Sequence, residues 1–309
     1  MNSFFWNAYK RLEKEVLALS EDIHFDDDQL SVYSSKIGDL LVRTVIEIES
    51  LSKELYFANG GPKPRSKKPH FDTDCLKLLE DKWLLSKKKV VVVSPYFYFT
   101  KQENIVLQPL DKACECGSNA SEWEQAYQAV KHDRINNIKE GNVRHLVHAL
   151  AALFVLNVYY RDSTFFLGDD YGARKIDWGL GSEIFVVKVS PENKNPSIEA
   201  PYVKKRDYEE SVYLVKPTDG EIKEYLDLLY RITREMRQES AKVVLQTLTV
   251  KKNKGEYPTD NAELSRMVEH LFAQNNSASL KRVGARHIEE INRVYSALRF
   301  EAVLNKNQY

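Results

Sequence analysis

The chain has 309 residues, 43% hydrophobic and 29% charged, which excludes a disordered or collagen-like polymer and suits two domains, or one with a large appendage. Its 45 basic and 45 acidic residues cancel, which excludes a whole-molecule electrostatic footprint for DNA or an anionic membrane. Three cysteines are too few for a disulfide framework and point to a reducing cytosol.

The N-terminal MNSFFWNAYKRLEKE carries charges too early for a signal peptide. Asn7 to Leu19 has a weak amphipathic helical pattern, and HFDDDQ after it reads as a solvated acidic turn without the glycine or terminal glutamate of a calcium loop. The next helix is stronger, because Ile37, Leu40, Leu41, Val45, Ile48, Leu51 and Leu55 recur at three- and four-residue spacing as far as Phe57. Glu49 lies beside that stripe, where its carboxylate can orient an arginine or histidine across a bundle. Gly60, Gly61, Pro62 and Pro64 then break the helix into a loop carrying Lys63, Arg65, Lys67 and Lys68, a local basic cluster able to contact phosphate.

A short helix is expected around Leu76 to Leu85. KVVVVSPYFYFT then reads as a strand bent at Pro95, with NIVLQPL as its partner, giving a hairpin inserted at about 88–110. Cys114 and Cys116 form a CxC pair in a loop, and no second Cys or His pair at zinc-ligand spacing lies nearby, so no metal or cofactor is expected.

Ser121 caps the following helix, whose early Glu122 and Glu124 suit the positive end of the helix dipole. Trp123, Tyr127, Val130, Lys131 and Arg134 lie on one side of it. In an unbroken helix His132 would point roughly 160° from Arg134, so the two cooperate only if the helix ends near KHDR, an ending that Asn136, Asn137 and Gly141 favour. The next helix starts near Asn142 and buries Val143, Leu146, Val147, Leu150 and Phe154. Arg144 and His148, four residues apart, are neighbours beside that stripe, while His145 faces elsewhere as a surface residue. The longest apolar run, Ala149 to Tyr160, is short of the roughly 18 residues of a membrane span, which makes a cytoplasmic protein the expectation.

IEIESLSKEL on one long helix, a β insertion, WEQAYQAVKHDR and then a helix rich in Ala and Leu resemble bacterial proteins of the HEPN kind over Lys36 to Arg161, about two fifths of the chain. The resemblance implies a helical bundle. It also implies metal-independent ribonuclease activity in toxin, abortive-infection or other defence systems, and a homodimer. The family signature is an arginine, often followed by a polar residue, with a histidine four to six intervening residues later. RHLVH at Arg144 to His148 has the polar residue but three intervening positions, and KHDR reverses the order.

Such a site would cleave RNA by taking the proton from a ribose 2′-hydroxyl, which attacks the adjacent phosphate; an imidazole with a pKa near 6.5 suits the task. His132 or His148 is then base or acid, Arg134 and Arg144 hold the phosphate, and Lys131 adds a point charge. Tyr127 and Glu49 support them. The alternative is a non-catalytic HEPN-like interaction or sensor module that dimerises or binds a partner effector or antitoxin, with KHDR as a structural or ligand-binding network. A third reading makes Lys131 and Arg134 anion hooks for a small ligand or nucleotide.

Beyond residue 160 a C-terminal α+β region is expected at 161–309. It has short strands at Phe165 to Leu167, Ile184 to Val189 and Val212 to Val215 around a loop from Pro191 to Lys205, and long helices at about 220–248, 261–274 and 285–304. Ile222, Tyr225, Leu229, Ile232 and Met236 form a stripe, Asp260 and Glu263 a capping box, and Arg286 with His287 a solvated pair. No P-loop, HExxH or GxSxG motif occurs. The fold class is therefore mainly α (α+β): an N-terminal HEPN-like bundle over 1–160 with an inserted hairpin, followed by short strands and long helices.

Overall fold

A computed structural model describes residues 4–62, 68–191 and 207–308. It is mainly α with small sheets. In chain order the elements are α1 (Phe4–Asp22), β1 (Phe25–Asp26), α2 (Ser35–Ala58), a π-helical turn (Phe71–Leu76), α3 (Lys77–Trp83), β2 (Val90–Val92), β3 (Phe97–Tyr98), α4 (Gln102–Ile105) and β4 (Val106–Leu107). Then follow α5 (Glu122–His132), α6 (Arg134–Asn137), a 3-10 turn (Ile138–Glu140), α7 (Val143–Arg161), β5 (Phe165–Gly168), β6 (Phe185–Val187) and β7 (Val189–Ser190). The chain closes with β8 (Tyr213–Pro217), α8 (Asp219–Asn253), α9 (Asn261–Arg286), α10 (Ile288–Ala297) and β9 (Phe300–Leu304). Lys63, Arg65 and Lys67 of the basic loop, and most of the Pro191 to Lys205 loop, lie outside the described residues.

α7 is the central helix, packed against α1, α2 and α5. Every residue from Ala149 to Tyr159 is buried, because small alanines let neighbouring helices approach while the leucines fill the space between them. By length and composition α7 could cross a membrane, but 78% of its most apolar window is buried inside the fold. Asn142 caps it by accepting from His145 N at 3.0 Å, and Asp162, with φ 45°, ends it in the left-handed conformation. In α2 the whole stripe from Ile37 to Leu55 is buried, as its spacing predicts, and Ser34 Oγ caps the first turn from Ile37 N at 3.2 Å. Gly141 is needed where the turn before α7 crosses α2: a Cβ there would stand 2.7 Å from the Gly38 Cα.

The β elements depart from the expected single hairpin. β2 does pair antiparallel with β4, but β6 joins its other edge from the far part of the chain, giving the order β4-β2-β6. Pro95 divides KVVVVSPYFYFT, and β3 beyond it pairs parallel with β1 instead. The HFDDDQ turn is correspondingly not a free acidic loop. Asp27 accepts from Thr100 N (2.9 Å), Thr100 Oγ1 (2.6 Å), Lys101 N (3.1 Å) and Asn104 Nδ2 (2.7 Å), and these bonds hold its carboxyl well below the usual range.

Three helix boundaries also move. α8 runs on to Asn253, and α9 continues through the polar NNSAS stretch to Arg286, because the two lie against each other with Leu271, Ser279 and Val283 buried. The last helix ends at Ala297. FEAVL, expected to be helical, is instead β9, in the interior of the sheet β5-β9-β8-β7 with Ala302 and Leu304 turned inward. Arg286 and His287 are tied to α8, the first to Glu239 and the second through Nε2 to Glu235 at 2.9 Å.

The hydrophobic core does not part at residue 160. One cluster of buried side chains runs from Tyr9 to Leu304, while Tyr225, Leu228, Ile232, Val283, Val294 and Leu298 form a second, small cluster within α8–α10. Polar ties cross the expected boundary as well. The Tyr159 hydroxyl donates to Asn305 O at 2.6 Å, and fully buried Glu13 on α1 accepts from Glu183 N at 2.9 Å and Ser182 Oγ at 2.5 Å.

Candidate functional site

α5 lies between the two groups of candidate residues, and Trp123 sets its place. The indole is 2% exposed and donates from Nε1 to Pro109 O at 2.8 Å. Ser121 is the N-cap residue as expected, yet its hydroxyl is buried without a partner among the described residues and makes no capping bond. The helix does end at KHDR. Asp133 leaves helical geometry (φ −148°, ψ 75°), and its side chain opens α6 by accepting from Asn136 N at 3.4 Å.

Toward α2, α5 forms a closed seam. Tyr127 Oη donates to Glu49 Oε1 at 2.8 Å, and Lys131 Nζ donates back to Tyr127 Oη at 2.9 Å while lying 4.8 Å from the ring centroid. Arg134, just past the helix break, pairs with Asp39 at 2.6 Å. Glu124, one turn before Tyr127, is 2% exposed, and its Oε2 is buried without a hydrogen-bond partner among the described residues. Burial, the charge of Asp72, a hydrogen bond shared with Asp72 and the charge of Glu49 push its carboxyl up to about 8, so at neutral pH it holds a proton.

On the other side, α5 and the start of α7 bound an open cleft of about 350 Å³, lined by Glu122, Gln125, Ala126, Ala129, Asn137, Glu140 and His145. His145, expected at the surface, keeps only 12% of its side chain exposed, and its Nδ1 lies 2.7 Å from Glu140 O. His148 is half-buried one turn further along α7. Burial and the neighbouring Arg144 push its imidazole down to about 4, against the pull of Glu122, so it is neutral at pH 7.

The expected catalytic set is thereby divided. At about 100° per residue, Tyr127 and Lys131 point roughly 140–180° away from Glu122 around α5. Arg144 and His148 are neighbours as expected, but on the Glu122 side. His132 is exposed at the last position of α5, about 15 Å along the axis from Glu122, the α5 residue whose charge acts on His148. The four residues His132, Arg134, Arg144 and His148 do not share one cleft within this chain. Glu49, Tyr127 and Lys131 do meet.

Sequence reasoning missed Glu124 and Asp72, and it missed His145 with Glu122, Gln125, Asn137 and Glu140. One signal was available for Glu124: it lies three positions before Tyr127, on the same face. The others depend on how the turn between α6 and α7 folds back. Cys75, Cys114 and Cys116 are free thiols, buried, half-buried and exposed in turn, and among the described residues no group of three or more His, Cys, Asp or Glu is placed to hold a metal ion. Comparison with protein-family models, with curated proteins and with solved structures finds no match to this chain.

Proposed function

We propose that the chain is a HEPN-like interaction or sensor module, acting by self-association or by binding a partner effector. The observation that carries this reading is the division of the expected catalytic set between opposite sides of α5. Metal-independent RNA cleavage needs a free cation and an imidazole that titrates near neutrality, together at one phosphate. Here Arg134 is paired with Asp39, Lys131 is bonded to Tyr127, and His148 stays neutral far below pH 7. The corner between α5 and α6 has the composition of a contact surface. Ile135 is 91% exposed there, between exposed Arg134 and Asn136 and near His132.

The test is incubation of the purified chain with total RNA, with and without EDTA, beside His132→Ala, Arg134→Ala and His148→Ala, together with sedimentation of wild type and Ile135→Asp. The expected result is no cleavage by any of them and loss of association in Ile135→Asp. EDTA-resistant cleavage that His148→Ala abolishes overturns the reading.

A second reading, a metal-independent endoribonuclease of a bacterial defence system with RNA as substrate, keeps one observation in its favour. Arg144 is exposed with no carboxylate bonded to it among the described residues, and it sits one turn from His148 on α7. In a homodimer, His132 and Arg134 of a second copy would have to complete that site.

A further inference from the structure

The cleft between α5 and α7 has a property that its residue names conceal: its fixed polar side chains spend their donors on the protein. Gln125 Nε2 bonds to Ala120 O at 2.7 Å and Ser118 O at 3.3 Å. Asn137 Nδ2 bonds to Asp133 O at 2.9 Å. His145 Nδ1 bonds to Glu140 O at 2.7 Å. All four partners are carbonyl oxygens, which only accept, so each bond settles an orientation that the side chain alone would leave open. The amide nitrogens of Gln125 and Asn137 are the anchored ends, and Nδ1 of His145 is the donor to Glu140 O.

Among the described residues Gln125 Oε1 and Asn137 Oδ1, both acceptors, and His145 Nε2 have no protein partner. Glu122 and Glu140 add two carboxylates, and among the described residues no Lys or Arg lines the cleft. Between these groups, Ala126 and Ala129 present two methyl groups from successive turns of α5. About 350 Å³ is at the small end of ligand-site volumes.

We propose that this cleft is a binding site for an alkylguanidinium group. A guanidinium brings five N–H donors in a plane and no acceptor, the complement of a wall that offers acceptors and two negative charges. Its methylene stem would lie over Ala126 and Ala129. An anion such as RNA phosphate has the opposite needs and is disfavoured in the same cleft. The assignment does not depend on the interaction surface around Ile135, although Asn137 shares α6 with it.

Calorimetric titration of the full chain tests it with three probes: agmatine, an arginine-containing peptide, and the same peptide with citrulline, which keeps the shape and loses the charge. Saturable binding of agmatine or the arginine peptide is expected, roughly tenfold or more weakened by citrulline and by the double variant Glu122→Gln/Glu140→Gln. Both glutamates are exposed or half-exposed, so the variant should keep the wild-type melting temperature. Tighter binding of the peptide identifies the source as an arginine of a partner chain; equal or tighter binding of agmatine identifies a free small molecule. Absence of saturable binding, or binding indifferent to citrulline or to the double variant, overturns the proposal.

Discussion

The two sides of α5 are built from similar residues and end in opposite states. On the α2 side, Tyr127 bonds Glu49, Lys131 bonds Tyr127 and Arg134 pairs with Asp39, so the main charges are tied to protein partners. On the α7 side, the donors are bonded to backbone carbonyls and the acceptors stay open. Polar residues on a helix therefore say little about function until their partners are known. A closed network contributes to positioning helices, whereas an open one of single polarity selects a ligand.

The comparison can be broken outright by removing what both sides share. Trp123→Ala deletes the buried anchor of α5 and leaves Pro109 O without its donor, so a loss of about 3–5 kcal/mol in urea unfolding is expected, with seam and cleft lost together. The seam alone is probed by Glu124→Gln. Because the Glu124 carboxyl is raised to about 8 in the fold from 4.5, its stabilising share is complete below pH 4.5 and is lost as pH rises through 8. The variant should therefore equal wild type near pH 4.5 and exceed it by several kcal/mol at pH 9, as denaturation at the two pH values would show.

The cleft side has the opposite pH sign. His148 is depressed to about 4 from 6.5, so its contribution is complete above pH 6.5 and is lost as pH falls through 4, because the unfolded chain takes up the proton first. His148→Gln should flatten the acid limb of the stability profile between those values by about 3 kcal/mol. Smaller effects separate the two sides further. Arg134→Ala removes a pair in which both side chains are about half exposed and should cost less than about 1 kcal/mol in the same unfolding assay. Glu122→Gln should shift stability by no more than about 0.5 kcal/mol while still weakening guanidinium binding.

Much of the helical frame was legible from spacing. The Ile37 to Leu55 stripe, the Asn142 and Asp260 caps and the break at KHDR all lie where local rules put them, since periodicity and capping act within a few residues. The failures share one cause. FEAVL left its expected helix because β5 and β8 supply the flanking strands, and α9 outran its polar NNSAS stretch because α8 lies alongside. His145, assigned to the surface from its place on the wheel, is covered by a turn that the wheel does not represent.

The candidate site divides along the same line. Composition and order in WEQAYQAVKHDR and NVRHLVH determined which titratable groups would ride on two consecutive helices and where the first of those helices would stop. Only the tertiary structure decided what each group met: Arg134 its Asp39, 95 positions away, and Tyr127 its Glu49, 78 positions away. Helix periodicity is written in neighbouring residues, whereas charge neutralisation, burial and the polarity of a cleft are set by segments that approach only after folding, and those are the terms that decide chemistry.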